Sequence, residues 1–397
     1  RVNFISVIVS ALSVMFTYLI SVQIIEEWRG KSTTITDQII NYGSSFIGAM
    51  TFALTDSQWF NAVEAEVYSI STFFTSIVVW LILKWNINSN QNGNVRYIII
   101  IAYMFGLAIG IHLLNLLALP FIALIIYFNK YNFSLKTFFI TIVITLMTFM
   151  IIYLGIIKGL PNLANSFGLT TPIIIILSIF IITIYSVSKN YYQLSTILIS
   201  LVVIIIGFST YATIFIRASQ HPNINENNPD TIEGALAYMN RDQYGHWEIM
   251  NPAFTLSRGE CAYSNRWTLN KNNPTKKEQI SFLWNYQIKE MYLRYFAWQF
   301  IGRGESNWPL YTKPNPNKPG DKGRYIKSLD GINVFRYGLP LAFLIGVFGI
   351  SFHFNRDWKH ALAVLSLFAA TGIMIIMYLN QYDPQPRERD YSYAGSF

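Results

Sequence analysis

The sequence predicts an all-α polytopic membrane protein, and three observations carry that prediction. Of 397 residues, 52% are hydrophobic and only 13% are charged, about half the ~25% charged share of an ordinary soluble domain. Runs of Ile, Leu, Val and Phe recur at lengths near the ~20 residues that a helix needs to cross a bilayer. Lys and Arg collect in alternate connections between those runs. A disordered chain, a coiled coil and a cytosolic α/β enzyme are thereby excluded. The single cysteine, Cys261, rules out an intrachain disulfide and a Cys-based metal cluster. Topology accounts for the net charge of +8, so no nucleic-acid partner is expected.

About ten membrane segments follow in order: 2–25, 37–54, 58–83, 97–111, 113–128, 136–157, 172–187, 194–216, 336–354 and 360–380. The run from Tyr97 to Phe128 is far too long for one pass at 1.5 Å per residue, so it divides near His112–Asn115, where polar groups fall. Arg29, Lys31, Lys84, Arg96, Lys130, Lys136, Lys189, Arg356 and Lys359 occupy one set of connections, and only Lys158 the short connections of the other. The bias predicts a cytoplasmic side for the first set and places both ends of the chain, with the long hydrophilic stretch, on the outer side. Arg1 runs straight into a span and no signal peptide is visible, so the chain reads as an internal portion of a longer protein that continues beyond Phe397.

Three regions result: a bundle of eight segments over 1–217, an extracytoplasmic α-rich insertion over 218–334, and a hairpin with a charged outer loop over 335–397. Within the insertion, Asn-Pro pairs at Asn228–Pro229, Asn251–Pro252 and Asn273–Pro274 mark turns. Thr231–Asp242 predicts a short helix capped by Asp230, and Asn240–Gly245 reads as its glycine-closed end, structural or part of acceptor recognition. Lys276–Phe300 predicts a longer amphipathic helix rich in Phe, Tyr and Trp. Its rings suit either the membrane interface or packing against the bundle. Trp308–Gly331, rich in Pro, Gly, Lys and Asn, reads as a loop.

Five strings identify a family. They are Asp56-Ser-Gln-Trp-Phe-Asn-Ala-Val-Glu-Ala-Glu-Val-Tyr68, Gly110-Ile-His-Leu-Leu-Asn-Leu-Leu-Ala-Leu-Pro120, Ile224–Asp230 with Tyr238–Gly245, Tyr292-Leu-Arg-Tyr-Phe-Ala-Trp-Gln-Phe-Ile-Gly-Arg303, and Gln385–Phe397 with its Arg387-Glu-Arg-Asp390 core. Together they resemble a multi-pass membrane family abundant in Bacteroidota and long of unknown function, itself similar to protein O-mannosyltransferases of the GT-C superfamily. The resemblance implies a GT-C-like helical bundle in the bacterial inner membrane with its large loop in the periplasm. It also implies transfer of a mannose-like sugar from a polyprenyl-phosphate donor to an outer acceptor, Ser or Thr of a protein. Relatives open with a further helix and an outer loop bearing a Trp-Asp-x-Gly-Glu type motif, whose acid serves as the base and would precede Arg1.

Such a transfer needs a carboxylate to take the hydroxyl proton and cations to stabilise the departing phosphate. Glu64 and Glu66, near the outer mouth of the third segment, are the candidate catalytic acids, with Tyr68 sharing the Glu64 face. On a regular helix the two glutamates stand about 200° apart and form no tight pair; two hydrated interfacial acids are the alternative. Arg387 and Arg389 are candidate phosphate ligands, which Glu388 and Asp390 would hold in place or complement by binding acceptor. An exposed charged turn, presented by Asp383–Pro384, is the alternative. His112 with Asn115 reads as a phosphate contact or an interhelical hydrogen-bonding pair. Arg303, followed by Glu305, reads as a phosphate or head-group contact or a surface ion pair. The Gly106–Gly110 pair reads as close helix packing. No His-x-x-x-His spacing and no strand-linked Gly-rich phosphate loop occur, so no metal-site residues, nucleotide sugar or organic cofactor are predicted, and use of a divalent metal stays open. The expected partners are membrane lipid, the lipid-linked sugar, a protein acceptor and components of an envelope complex. A non-enzymatic subunit of an envelope assembly and a transporter are the competing classes. The transporter signature of paired interrupted helices in two similar halves is absent from the sequence.

Overall fold

The computed structural model describes residues 2–240, 242, 274–304, 331–383, 385 and 387–397. Helices dominate. In chain order the first are α1 (Val2–Arg29), α2 (Ile35–Ala53), α3 (Asp56–Val63), α4 (Tyr68–Ile87) and α5 (Val95–Ile111). A 3₁₀ turn, Leu113–Ala118, leads into α6 (Leu119–Lys130). Then α7 (Leu135–Met150) runs through a π-helical stretch into α8 (Leu160–Phe167), followed by α9 (Thr170–Ser188), α10 (Tyr192–Phe208), α11 (Ala212–Ala218) and α12 (Ile232–Asn240). After the undescribed stretch come α13 (Lys276–Phe282), a π-helical run Leu283–Leu293 and α14 (Arg294–Phe300), one continuous helix. A two-residue antiparallel ladder pairs β1 (Arg303–Gly304) with β2 (Gly331–Ile332). The hairpin of α15 (Leu341–Arg356) and α16 (Trp358–Ala369) continues through a π turn into α17 (Ile375–Leu379). A 3₁₀ turn, Asp390–Ser396, ends the chain.

Among the described residues, seven helical stretches are long and apolar enough to cross a membrane, and α5 and α15 are apolar but shorter. The protein is therefore an all-α polytopic membrane protein. Helix α2 forms over the predicted range but is not among the seven, since Thr36, Asp37, Gln38, Asn41 and Ser44 dilute its apolar content. Outward-facing Ile173, Ile174, Leu177, Ile181 and Ile184 on α9 are all at least half exposed, an apolar surface that suits lipid and not water.

The third predicted segment, 58–83, is not one helix. It breaks between Val63 and Tyr68, and the membrane-length helix is α4 alone. The break is stable because side chains satisfy the carbonyls it frees. Asn3 Nδ2 donates to the Val63 carbonyl at 2.9 Å, and the Ser69 hydroxyl donates to the Asn61 carbonyl. The angular separation expected of Glu64 and Glu66 on a regular helix therefore does not apply. The division at His112 holds: α5 ends at Ile111, and His112 is extended.

The chain forms two compact units, 1–69 with 246–397, and 70–245. This division follows packing, whereas the sequence boundaries near 217 and 335 follow hydrophilicity. In the second unit α5 and α10 cross at close range. A Cβ on Gly207 would lie 2.7 Å from the Leu107 nitrogen and 2.8 Å from the Tyr103 carbonyl oxygen, and one on Gly106 would strike the Ile204 carbonyl. Gly110 is less confined, 3.4 Å from the Thr210 hydroxyl. Helix α12 is capped by Thr231, whose Oγ1 accepts from the Gly234 amide at 3.0 Å. The cap lies one residue beyond the predicted Asp230, because Thr231 reaches the third amide of the helix.

In the first unit, Thr275 and Glu278 form a reciprocal capping box that starts α13 where the sequence places it. Most aromatic side chains of this long helix pack inward: Phe282, Tyr286, Tyr292, Tyr295 and Trp298 are at most 3% exposed, while Trp284 is half exposed. Their burial favours the packing alternative over an interfacial helix. Gln287 ties the helix to the end of α17 through the Asn380 side chain and the Gln381 carbonyl, both at 2.9 Å, and the Tyr286 hydroxyl donates to the Tyr382 carbonyl at 2.9 Å. The Asn240–Gly245 helix end, the turns at 251–252 and 273–274, Glu305, the 308–331 loop and the 383–384 turn lie wholly or partly outside the described residues.

Candidate functional site

Sequence-distant parts of the first unit converge on the loop 387–391. Its anchor is Arg294, 2% exposed, which gives Nη1 to Glu388 Oε1 at 3.1 Å and Nη2 to Oε2 at 2.6 Å. The fork matches a carboxylate in a way lysine cannot. Arg294 also stacks near the rings of Tyr295 and Trp298, at 4.9 and 4.7 Å, and its Nε donates to the Glu290 carbonyl oxygen at 2.9 Å. Burial alone would weaken its hold on the proton, but Tyr295, Glu388 and Glu290 outweigh that and keep it cationic. The Tyr295 hydroxyl donates to Glu388 at 2.6 Å and accepts from the Arg389 amide at 3.1 Å. Burial pushes the Tyr295 phenol well above its ordinary range, so it remains a donor.

A second anchor lies at the start of α3. The Ser57 hydroxyl donates to Asp390 at 2.5 Å, while Gln299 accepts from the Ser57 amide at 3.0 Å and donates to its hydroxyl at 2.8 Å. Beside it, Asp56 stands 3.8 Å from Arg303, whose guanidinium covers the Trp298 ring at 4.1 Å. Burial raises the Asp56 carboxyl above its usual range, against the pull of Arg303.

The two anchors leave one cation forward. Arg387 is more than half exposed, 3.5 Å from Glu66, and its guanidinium covers Tyr391 at 4.9 Å. Tyr391 in turn packs on Tyr68 at 4.6 Å between ring centroids. The structure thus brings Glu66, Tyr68, Arg387, Glu388, Arg389, Asp390 and Arg303 into one unit. Glu64 is exposed at the end of α3, its amide donating to the Phe60 carbonyl at 3.1 Å. Glu388 holds the Arg294 guanidinium in place, and Asp390 accepts from the Ser57 hydroxyl. Arg389 Nε is buried without a hydrogen-bond partner.

His112 and Asn115 belong to the second unit. His112 Nδ1 accepts from the Leu114 amide at 3.2 Å. Asn115 is 2% exposed, accepts from the Thr75 hydroxyl at 3.0 Å and donates to the His112 carbonyl at 2.9 Å. These bonds satisfy the backbone where α5 ends.

Sequence reasoning assigned no role to Arg294, Ser57, Gln299 or Asp56, although two of the five strings contain them. Nor could spacing find Glu27 and Asp357 on either edge of His360. The Nε2 atom lies 2.8 Å from Glu27 and Nδ1 2.5 Å from Asp357.

Fold and site define a multi-pass helical membrane protein with a charged cluster built on aromatic packing. Residues 1–135 match the family described as protein O-mannosyl-transferase TMEM260 N-terminal domain, which points to a glycosyltransferase family. Glu64, Glu66, Tyr68, His112 and Asn115 fall inside the match, and the 387–390 string lies beyond it. Comparison with curated proteins and with solved structures yields no match.

Proposed function

We propose that the chain is part of a GT-C-type membrane glycosyltransferase that moves a mannose-like sugar from a polyprenyl-phosphate donor to a hydroxyl of a protein acceptor. The carrying observation is the Glu66–Arg387 pair at 3.5 Å, a carboxylate and a guanidinium presented together by segments more than 300 residues apart in sequence. Arg387 stabilises the phosphate as the bond from sugar to phosphate breaks. Glu66 accepts the proton of the attacking Ser or Thr hydroxyl, and Glu64 adds a second carboxylate at the same turn. Arg389 and Arg303 supply further positive potential, and His112 with Asn115 shapes the connection after α5. The positive-inside bias supports an inner-membrane protein whose reaction faces the periplasm.

The test is glycosylation in cells that depend on the full-length protein. Glu66→Gln and Arg387→Ala are expected to abolish acceptor glycosylation while the protein accumulates normally in the membrane. Unchanged glycosylation in both variants contradicts the proposal. It would favour a non-enzymatic envelope subunit.

A further inference from the structure

A half-open cleft of about 210 Å³ lies beside the charged loop. Tyr286, Glu290 and Arg294 form its helix wall, and Gln385, Arg387 and Glu388 its loop wall. Tyr286 and Glu290 sit on the 11-residue π-helical run, and such departures from regular helix concentrate at functional sites. Glu290 is 3% exposed, and its charge acts on the buried Arg294 guanidinium beside it.

The walls are too polar for an isoprenyl chain, and the space is too small for a folded acceptor segment. Their charges are also ordered. Arg294 is already committed to Glu388 through both terminal nitrogens, so the helix wall presents no uncommitted guanidinium to an anion. With Arg294 set against Glu388 and Glu290, the interior charges offset one another and offer an entering phosphate no cation of their own. Arg387, more than half exposed, stands at the rim. The ligand that fits has a neutral, hydroxyl-rich end that enters and an anionic end that stays at the mouth. Carboxylate and amide side chains accept from and donate to vicinal hydroxyls.

We propose that this cleft binds the hexosyl phosphate head of the donor, with the sugar hydroxyls donating to Glu290, Gln385 contacting the ring, and Arg387 holding the phosphate. The proposal rests on the transferase reading above and names the part of that site which selects the sugar.

The test measures binding without transfer. Purified full-length protein in nanodiscs is titrated with mannose 1-phosphate and, separately, with inorganic phosphate. Mannose 1-phosphate is expected to bind about tenfold tighter, since a few sugar hydrogen bonds of ordinary net strength supply that factor. Glu290→Gln should weaken mannose 1-phosphate at least about fivefold and leave inorganic phosphate within about twofold, whereas Arg387→Ala should weaken both. Equal affinity of the parent protein for the two ligands overturns the proposal, as does a folded Glu290→Gln variant with parental affinity. If Glu290→Gln fails to fold, Gln385→Ala decides by the same criterion. Transfer assays separate the two claims. Glu290-dependent binding without any sugar transfer overturns the transferase reading alone, and transfer with an unaltered donor KM in Glu290→Gln overturns the cleft alone.

Discussion

Replacing Arg294 with Met should loosen the whole charged loop, and the size of the effect follows from its contacts. The substitution removes two charge-assisted bonds to Glu388, at 3.1 and 2.6 Å, and two ring contacts. Breaking a buried pair by removing one partner costs about 3–5 kcal/mol. Here the Glu388 side chain is 28% exposed and keeps the Tyr295 hydroxyl at 2.6 Å. Water and Tyr295 recover part of the loss, leaving about 2–3 kcal/mol. Glu388→Gln should cost a similar amount by stranding the Arg294 cation. The double variant should cost less than the sum, with a coupling of about 1.5–3 kcal/mol. Denaturant unfolding in mixed micelles, followed by tryptophan fluorescence, reads all four proteins. A coupling below about 0.5 kcal/mol, the scatter expected of independent sites, would refute the anchor.

Other positions give distinct readouts. Ser57→Ala should destabilise the first unit by about 1–3 kcal/mol, measured by the same unfolding assay, because Asp390 loses the hydroxyl that donates to it and Gln299 loses one of its bonds. Gly207→Ala should lower thermal stability by about 1–3 kcal/mol, since its Cβ meets backbone atoms at 2.7 and 2.8 Å that cannot yield as a side chain would. Thr231→Ala should fray α12 at a cost of about 1 kcal/mol, seen as faster amide exchange at Gly234. Arg387→Lys should retain part of the activity that Arg387→Ala loses, because lysine keeps the charge without the fork; donor KM reports the difference.

The membrane fold was legible because hydropathy and Lys/Arg asymmetry are summed over many residues. The aromatic helix was legible for the same reason, down to the Thr275–Glu278 cap. What failed was local. The break at 64–67 depends on Asn3 and Ser69 reaching freed carbonyls, and no window of hydropathy contains that. The dense string Arg387–Asp390 drew attention to a loop on which distant segments converge, because charge beside a span is conspicuous. Its partners were not legible. Arg294 looks like one more cation in a helix until the fold turns it toward Glu388, 94 residues away. Ser57 and Gln299 are ordinary polar residues whose pairing spans 242 positions.

The role proposed for the Glu66–Arg387 pair is sugar transfer from a lipid phosphate. The most direct measurement supplies purified full-length protein with polyprenyl-phosphate mannose and a Ser/Thr-bearing acceptor peptide, and quantifies sugar on the peptide. Transfer is predicted for the parent protein, with a fall of about 100-fold in Arg387→Ala, the scale on which a single oxyanion contact acts. Absence of transfer by the folded parent protein, or an undiminished rate in Arg387→Ala, would contradict it.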